Sequence, residues 1–416
     1  MDKQIYLCLA HMSESGLEQK YVKEAFDTNW VVPLGPNVNA FEEDLKQFTG
    51  DTHEVVALSA GTAAVHLALI VCGVGPGDEV LVQSFTFCAS SHPITYLGAK
   101  PVFVGSEPET WNMDPVLLEE AIKDRIAKIG KKPKAIVPVA LYGMPYDCKR
   151  IMEIADRYDI PVVEDAAEGF GSKFDGRILG TFGKFGVLSF NGNKMITTSG
   201  GGALVCQSAE DKNTVMWYAT QARDAYPYYQ HTAIGYNYRM SNICAGIGRG
   251  QMMVAQAHID HHKHVQALYE ELLREVKGVH IHRQPADPRY DSNFWLCTAT
   301  LDADVKVQGQ ENAYKEVIKT AVGGDAGGIK GVGSGATDCQ PNDNVEALRV
   351  FMATNRIETR PVWKPMHKQP VYVDAVVYTN GVEEEIFKVG FCLPAGPWVT
   401  DEDVKYIVEK IKEAIL

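Results

Sequence analysis

Between Glu54 and Cys206 the sequence keeps changing its hydrophobic period. Short apolar runs of strand length alternate with segments whose apolar residues recur every three or four positions. Val55-Val56-Ala57-Leu58 opens the series, and further strand candidates follow at 79–83, 100–104, 135–141, 160–164, 186–190 and 203–206. Helical segments lie between them at 62–72, 115–127 and 148–158, and Gly75-Pro76-Gly77-Asp78 marks a turn. Strands separated by helices pair in parallel through crossovers, and strands this apolar are covered on both faces. The alternation predicts an α/β domain around a mostly parallel central sheet between helices.

Upstream, residues 34–50 form a helix candidate with Asn39 as N-cap, Glu42 three positions on and Gly50 as the stop. Downstream, residues 242–276 have long helical character, which Gly246, Gly248 and Gly250 are expected to break. A domain boundary is placed there, giving a large domain at 1–258 and a small α+β domain at 259–416. The small domain carries a strand at 298–301 and helices at 344–355 and 401–415. Seven glycines in thirteen residues at 323–335 read as a flexible surface insertion. No internal repeat is visible.

Composition narrows the partners. Hydrophobic residues make up 45% of the 416-residue chain and charged residues 22%, which excludes disordered, collagen-like and small disulfide-stapled proteins. Forty basic residues against 53 acidic give a net charge of −13, and no basic footprint for nucleic acid is present. Nine scattered cysteines with no C-x-x-C pair point to reduced thiols and a cytoplasmic setting. The N-terminal apolar run is too short for a signal-peptide core, and no run reaches the length of about 18 residues that a membrane span needs.

Three places carry chemistry, each at the carboxyl end of a strand, where open α/β sheets bind ligands. Ser59-Ala60-Gly61-Thr62-Ala63-Ala64 follows a strand and opens a helix, so its backbone amides offer an anion site unless the turn is merely capped. Ile160-Pro161-Val162-Val163 ends in Glu164 and Asp165, with Glu168 three residues beyond. A carboxylate at a buried strand end needs a cation, a metal or a cap to answer it. Leu188-Ser189-Phe190-Asn191-Gly192-Asn193 leads to Lys194, and Gly200-Gly201-Gly202 follows. A lone lysine is ordinarily a solvated charge, but a desolvated one is a Schiff-base nucleophile. Phosphate cradle, buried Asp and buried Lys together are what pyridoxal phosphate requires.

On these motifs the chain resembles the DegT/StrS family of sugar-nucleotide aminotransferases, which have the aspartate-aminotransferase-like fold (pyridoxal-phosphate-dependent transferase fold type I). Phe85-Thr86-Phe87, Gly235-Tyr236-Asn237-Tyr238-Arg239-Met240-Ser241 and the stretch from Glu358 through Arg360, Trp363 and His367 extend the likeness over residues 5 to 412. The resemblance implies that Lys194 holds pyridoxal 5′-phosphate as an internal aldimine and then carries a proton, pyridoxamine phosphate being the intermediate form. It implies that Asp165 pairs with the pyridine nitrogen, Glu168 lies near the ring's phenolic oxygen, and Phe87 stacks on the ring. Gly61, Thr62 and Ser189 would hold the phosphate, and Asn237 would come from a neighbouring subunit, so a homodimer with shared active sites is implied. Arg360, Trp363 and His367 would face the site's mouth and the substrate, or merely pack the small domain.

A Glu at position 168 resembles the subgroup that aminates C4 of nucleotide-linked 4-keto-6-deoxy sugars, the bacillosamine and perosamine type. The reading is therefore an aminotransferase that moves an amino group from an amino acid, L-glutamate, to a UDP- or GDP-linked keto-sugar. Two rivals stand beside it. A dehydratase of the same family has His where this chain has Lys194, and a non-catalytic regulatory or binding protein could use the same fold. His258 and His262 share a helix face, but with no third ligand they are not read as a metal site.

Overall fold

Alternate residues along each central strand point to opposite faces, and here both faces are buried. The computed structural model describes residues 3–314 and 339–416, so the glycine-rich run at 323–335 lies outside the described residues. In chain order the strands are β1 (Glu54–Leu58), β2 (Glu79–Gln83), β3 (Lys100–Val104), β4 (Ala135–Val137), β5 (Val163–Asp165), β6 (Lys173–Phe174), β7 (Arg177–Ile178), β8 (Phe185–Ser189) and β9 (Gly202–Cys206). They continue with β10 (Val279–Ile281), β11 (Tyr290–Asp291), β12 (Cys297–Leu301), β13 (Arg360–Pro361), β14 (Val376–Tyr378) and β15 (Gly390–Leu393).

Two ladders, β1-β9-β8-β5 and β4-β2-β3-β14, make up the central sheet. Parallel bridges Ile136–Val162 and Val139–Asp165 join them. Only β9 runs antiparallel to the others. Val55, Ala57, Leu81 and Val205 pack on one side with Phe41 and Leu45 of the helix Pro36–Phe48 and Leu118 of the helix Pro115–Ile129. Val56, Leu58, Val82 and Leu204 face the other side, against the helices Gly61–Val71 and Ala209–Ala219. The mostly parallel sheet between helices is therefore present as the alternation implied.

Local signals explain some boundaries. Asp114 caps the helix Pro115–Ile129 by accepting from the Val116 amide, Pro115 fills the first turn, and Gly130 ends it in the left-handed region. The helix Pro36–Phe48 differs from expectation. Gly35 is its N-cap and Pro36 its first residue, which places Asn39 inside the helix and turns Glu42 inward to accept from the Ala57 amide. The side-chain cap comes instead from Asn242, whose Oδ1 accepts from the amides of Asn37 and Val38.

The glycines at 246, 248 and 250 do not break their helix either. Asn242–Met252 runs through all three, and the break falls beyond them, before the helix Ala255–Leu272. A Cβ on Gly248 would lie 2.7 Å from the Phe41 ring, and one on Gly250 would lie 2.6 Å from the Glu18 amide. The missing side chains let the helices Leu17–Asp27 and Pro36–Phe48 close onto Asn242–Met252.

The C-terminal sheet, β10-β12-β15-β13, is wholly antiparallel. The helices Asp343–Thr354 and Asp401–Ala414 share a core with it. The boundary drawn after residue 258 falls within the helix Ala255–Leu272. Across it, β14 adds itself to β3 of the large sheet and Ile5 bridges Ile357. The chain thus exchanges pieces between its two halves.

Candidate active site

Because β1, β5 and β8 run in the same direction, the three motif-bearing loops leave one edge of the sheet. Leu58 and Ser189 stand in register on either side of Gly202. After β1 the backbone stays extended at Ala60 and turns into the helix Gly61–Val71, which has no side-chain cap. Its first amides are therefore left to a ligand or solvent. A Cβ on Gly202 would sit 2.4 Å from the Gly61 nitrogen, so only glycine lets β9 pass this close. Ser189 is also close, with its Cβ 3.1 Å from where a Gly61 Cβ would stand.

Asp165 ends β5 with its side chain buried. Its Oδ2 accepts from Ser90 Oγ at 2.6 Å and its Oδ1 from the Ala167 amide at 3.1 Å, while Ser90 Oγ lies 2.8 Å from Thr86 Oγ1. Burial pushes this carboxyl above its usual range, and the two hydrogen bonds and the Lys194 charge oppose that rise.

Lys194 follows β8 in a turn closed by its own amide on the Asn191 carbonyl. Its Nζ lies 3.4 Å from Glu168 Oε1 and 4.2 Å from the centroid of the Trp295 ring. The lysine side chain is 13% exposed and the glutamate's 5%. Glu168 Oε2 accepts from the Tyr142 amide at 2.7 Å, and Tyr142 adopts φ 55° to present it. Burial raises the Glu168 carboxyl, and the Lys194 charge is the largest influence pulling it back. The amine faces a carboxylate on one side and an aromatic face on the other, a setting that suits a cation.

One cavity of about 400 Å³ is lined by Gly61, Thr62, Phe87, Asp165, Glu168, Ser189 and Lys194 together. Phe87 is 48% exposed on its rim rather than in the core, with its ring 5.0 Å from that of Trp363. Trp363 also lines the cavity, and its indole Nε1 is buried with no hydrogen-bond partner among the described residues. Three residues singled out in the sequence lie elsewhere. Asn237 is exposed on the segment that bridges Thr220. Arg360 is bound to Glu358, its Nη2 donating to Oε1 at 2.6 Å. His367 is not at the mouth, because its Nδ1 meets Ser84 Oγ at 2.6 Å and its Nε2 meets Glu384 Oε1 at 2.9 Å. Both ring nitrogens are already engaged in joining the end of β2 to the helix Val382–Val389.

A larger open hollow, about 740 Å³, lies at the opposite edge of the sheet among lysines and aspartates. Lys131, Lys132 and Lys184 there pair with Asp78, Asp159 and Asp211.

The sequence reading missed Ser90, Tyr142, Asn293 and Trp295. Ser90 stands three positions past Phe87 in a stretch already noticed, but nothing local ties it to Asp165, 75 residues further on. Trp295 has no local signal either. It lies about a hundred residues from Lys194, yet its Nε1 donates to the Asn193 carbonyl at 2.7 Å. Asn293 donates from Nδ2 to the Glu168 carbonyl at 2.8 Å.

A sequence model of the DegT/DnrJ/EryC1/StrS aminotransferase family matches residues 13–323 and 335–412, leaving a gap within the glycine-rich run. EpsN of Bacillus subtilis (strain 168), assigned as a pyridoxal phosphate-dependent aminotransferase, is 41% identical over 98% of this chain and 95% of its own. GDP-perosamine synthase of Escherichia coli O157:H7 is 33% identical over 98% of both chains. The crystal structure of a DegT DnrJ EryC1 StrS aminotransferase from Brucella abortus superposes with a TM-score of 0.81. It is 26% identical, covering 96% of this chain and 95% of that one.

Proposed function

The chain belongs to the DegT/DnrJ/EryC1/StrS aminotransferase family, and from that premise we propose that it aminates C4 of a UDP- or GDP-linked 4-keto-6-deoxyhexose with L-glutamate as donor. It is a sugar-nucleotide aminotransferase of fold type I, and its cofactor is pyridoxal 5′-phosphate. The residues present fit that cofactor. An uncapped helix start beside the Ser189 hydroxyl suits a phosphate, a buried carboxylate suits a ring nitrogen, and a buried amine opens on the same cavity. When bound, the cofactor supplies an aldehyde that takes up amines and a protonated ring that draws electrons from the donor's Cα.

The chain's own groups do the rest. The Gly61 and Thr62 amides and Ser189 Oγ anchor the phosphate. Asp165, oriented by Ser90 and Ala167, keeps the proton on the pyridine nitrogen. Lys194 holds the cofactor between turnovers. Once released, its amine would take up and return the donor's Cα proton, and would serve the keto-sugar in the reverse direction. Glu168, 3.4 Å from Nζ, accepts hydrogen bonds from the lysine in its charged form. Phe87 would flank the cofactor ring, with the Trp363 ring beside it on the cavity wall.

Asn237 would complete the site of a second copy. The exposed apolar residues Trp30, Val31, Val32 and Leu34 and Tyr228, Tyr229 and Ile234 support an intersubunit surface. The cytoplasmic reading rests on nine cysteines scattered along the chain with no C-x-x-C pair. Among the described residues no helix is long and apolar enough to cross a membrane.

The observation that carries the reading is the convergence of Lys194, Asp165 and Glu168 on one cavity that ends at an uncapped helix start. The test is the visible spectrum of the purified protein. L-Glutamate should bleach the cofactor band, and a 4-keto-6-deoxy sugar nucleotide should restore it. Lys194→Ala should fold and lose amine transfer by at least about 10³-fold. An active Lys194→Ala protein sinks the role given to the lysine. A band that glutamate leaves unchanged sinks the donor.

A further inference from the structure

Two histidines that the reaction does not use share one face of the helix Ala255–Leu272, a turn apart. Their spacing resembles a metal pair, but both are buried and neither faces a cation site. His258 Nδ1 lies 3.0 Å from the Met195 carbonyl, and His262 Nδ1 lies 3.1 Å from the Phe294 carbonyl. A carbonyl oxygen only accepts, so each ring donates from Nδ1 and has its lone pair on Nε2. Burial holds both imidazoles below their ordinary pKa, His262 down to about 3, so they remain neutral donors.

The acceptors lie on either side of the working groups. Met195 follows Lys194 directly, and the carbonyl on the lysine's other side, that of Asn193, is taken by the Trp295 indole. Phe294 precedes Trp295 and adopts φ 48°, a conformation that costs energy without glycine and needs fixing from outside. Trp295 in turn places its ring 4.2 Å from Lys194 Nζ, and its amide is held by Asn293 Oδ1 at 2.8 Å.

We infer that His258 and His262 are positioning residues: one helical turn fixes the Lys194 backbone and the Trp295 ring relative to each other, so that the amine returns to the same point whenever it is released. The inference rests on the reading of Lys194 as the reactive amine. A lysine side chain turns about four bonds, so the direction of its proton transfer depends on how firmly its backbone and its ring platform are held.

Two substitutions separate the hydrogen bond from mere packing. Asparagine places an amide nitrogen where Nδ1 stands, whereas leucine fills the volume without a donor. On the holoenzyme, His258→Leu should speed amide exchange in residues 191–196 by about fivefold or more, and His262→Leu should do so in residues 293–296, with the sheet unchanged. Each should lower kcat about tenfold with both KM values within about twofold, because the loss is in the reacting geometry. His258→Asn and His262→Asn should restore both readouts to within about twofold. Leucine and asparagine variants that behave alike, or exchange that does not change, overturn the inference. If a leucine variant fails to fold, glutamine replaces it, since its amide reaches the Nε2 position instead. The exchange result decides the clamp whatever Lys194→Ala shows, so the two readings fail separately.

Discussion

At the scale of single residues, the site is a balance between desolvation and its answers. Asp165 and Glu168 are both raised by burial, opposed at Asp165 first by the Ser90 hydrogen bond and at Glu168 first by the Lys194 charge. His262 shows the opposite sign. In the unfolded chain it titrates near 6.5, and burial lowers it to about 3 in the fold, opposed by its bond to Phe294. The folded state therefore binds fewer protons than the unfolded one. The stability this contributes is complete above the unfolded value and is lost as pH falls from there toward the folded one. His262→Asn keeps the donor and removes the titration. Between pH 7 and pH 5 the wild-type protein should lose about 2 kcal/mol more unfolding free energy than this variant, as urea denaturation at the two pH values would show. Equal losses would mean the ring is not held neutral by burial.

At the scale of elements, glycine spacing and cap signals gave the least reliable local guide. Asn39 and Glu42 form a sound capping pattern on paper, but Pro36 fits the first turn better and Asn242 supplies the cap from two hundred residues away. The glycines of Asn242–Met252 read as breakers because propensity counts against them, whereas their role is close approach. Gly250→Ala tests that role. Helix propensity favours the change by up to about 1 kcal/mol. The new Cβ, however, would meet the backbone of Glu18, and overpacking of this kind costs about 1–3 kcal/mol. A net destabilisation is expected as a lower urea midpoint. A more stable variant would show that the helix Leu17–Asp27 moves aside freely. By contrast the bidentate pair of Arg125 with Glu79, buried at the start of β2, should cost about 3–5 kcal/mol if only one partner is removed.

At the scale of the whole molecule, the site as one chain presents it has no Asn237. If a second copy donates that residue, then Lys194→Ala and Asn237→Ala proteins, each inactive alone, should recover activity when unfolded together and refolded. Random pairing gives mixed dimers with one intact site, so recovery should reach roughly a quarter of the wild-type value. No recovery from two inactive variants would place Asn237 in its own chain's site, and an active Asn237→Ala protein would place it outside the site altogether. What the sequence determined by itself follows from local periodicity and strand ends. Alternating periods imply a mostly parallel sheet, and such a sheet puts the loops at 59–62, 165–168 and 189–194 on one edge, while the strand order β1-β9-β8-β5 brings them together. Tertiary structure alone decided what surrounds them. Ser90 orients Asp165, Trp295 lies against Lys194, His258 and His262 hold both, and His367 turns away because Ser84 and Glu384 occupy its nitrogens. Those contacts join residues far apart in the chain, and a period of two or of 3.6 carries no record of which distant side chain will complete a hydrogen bond.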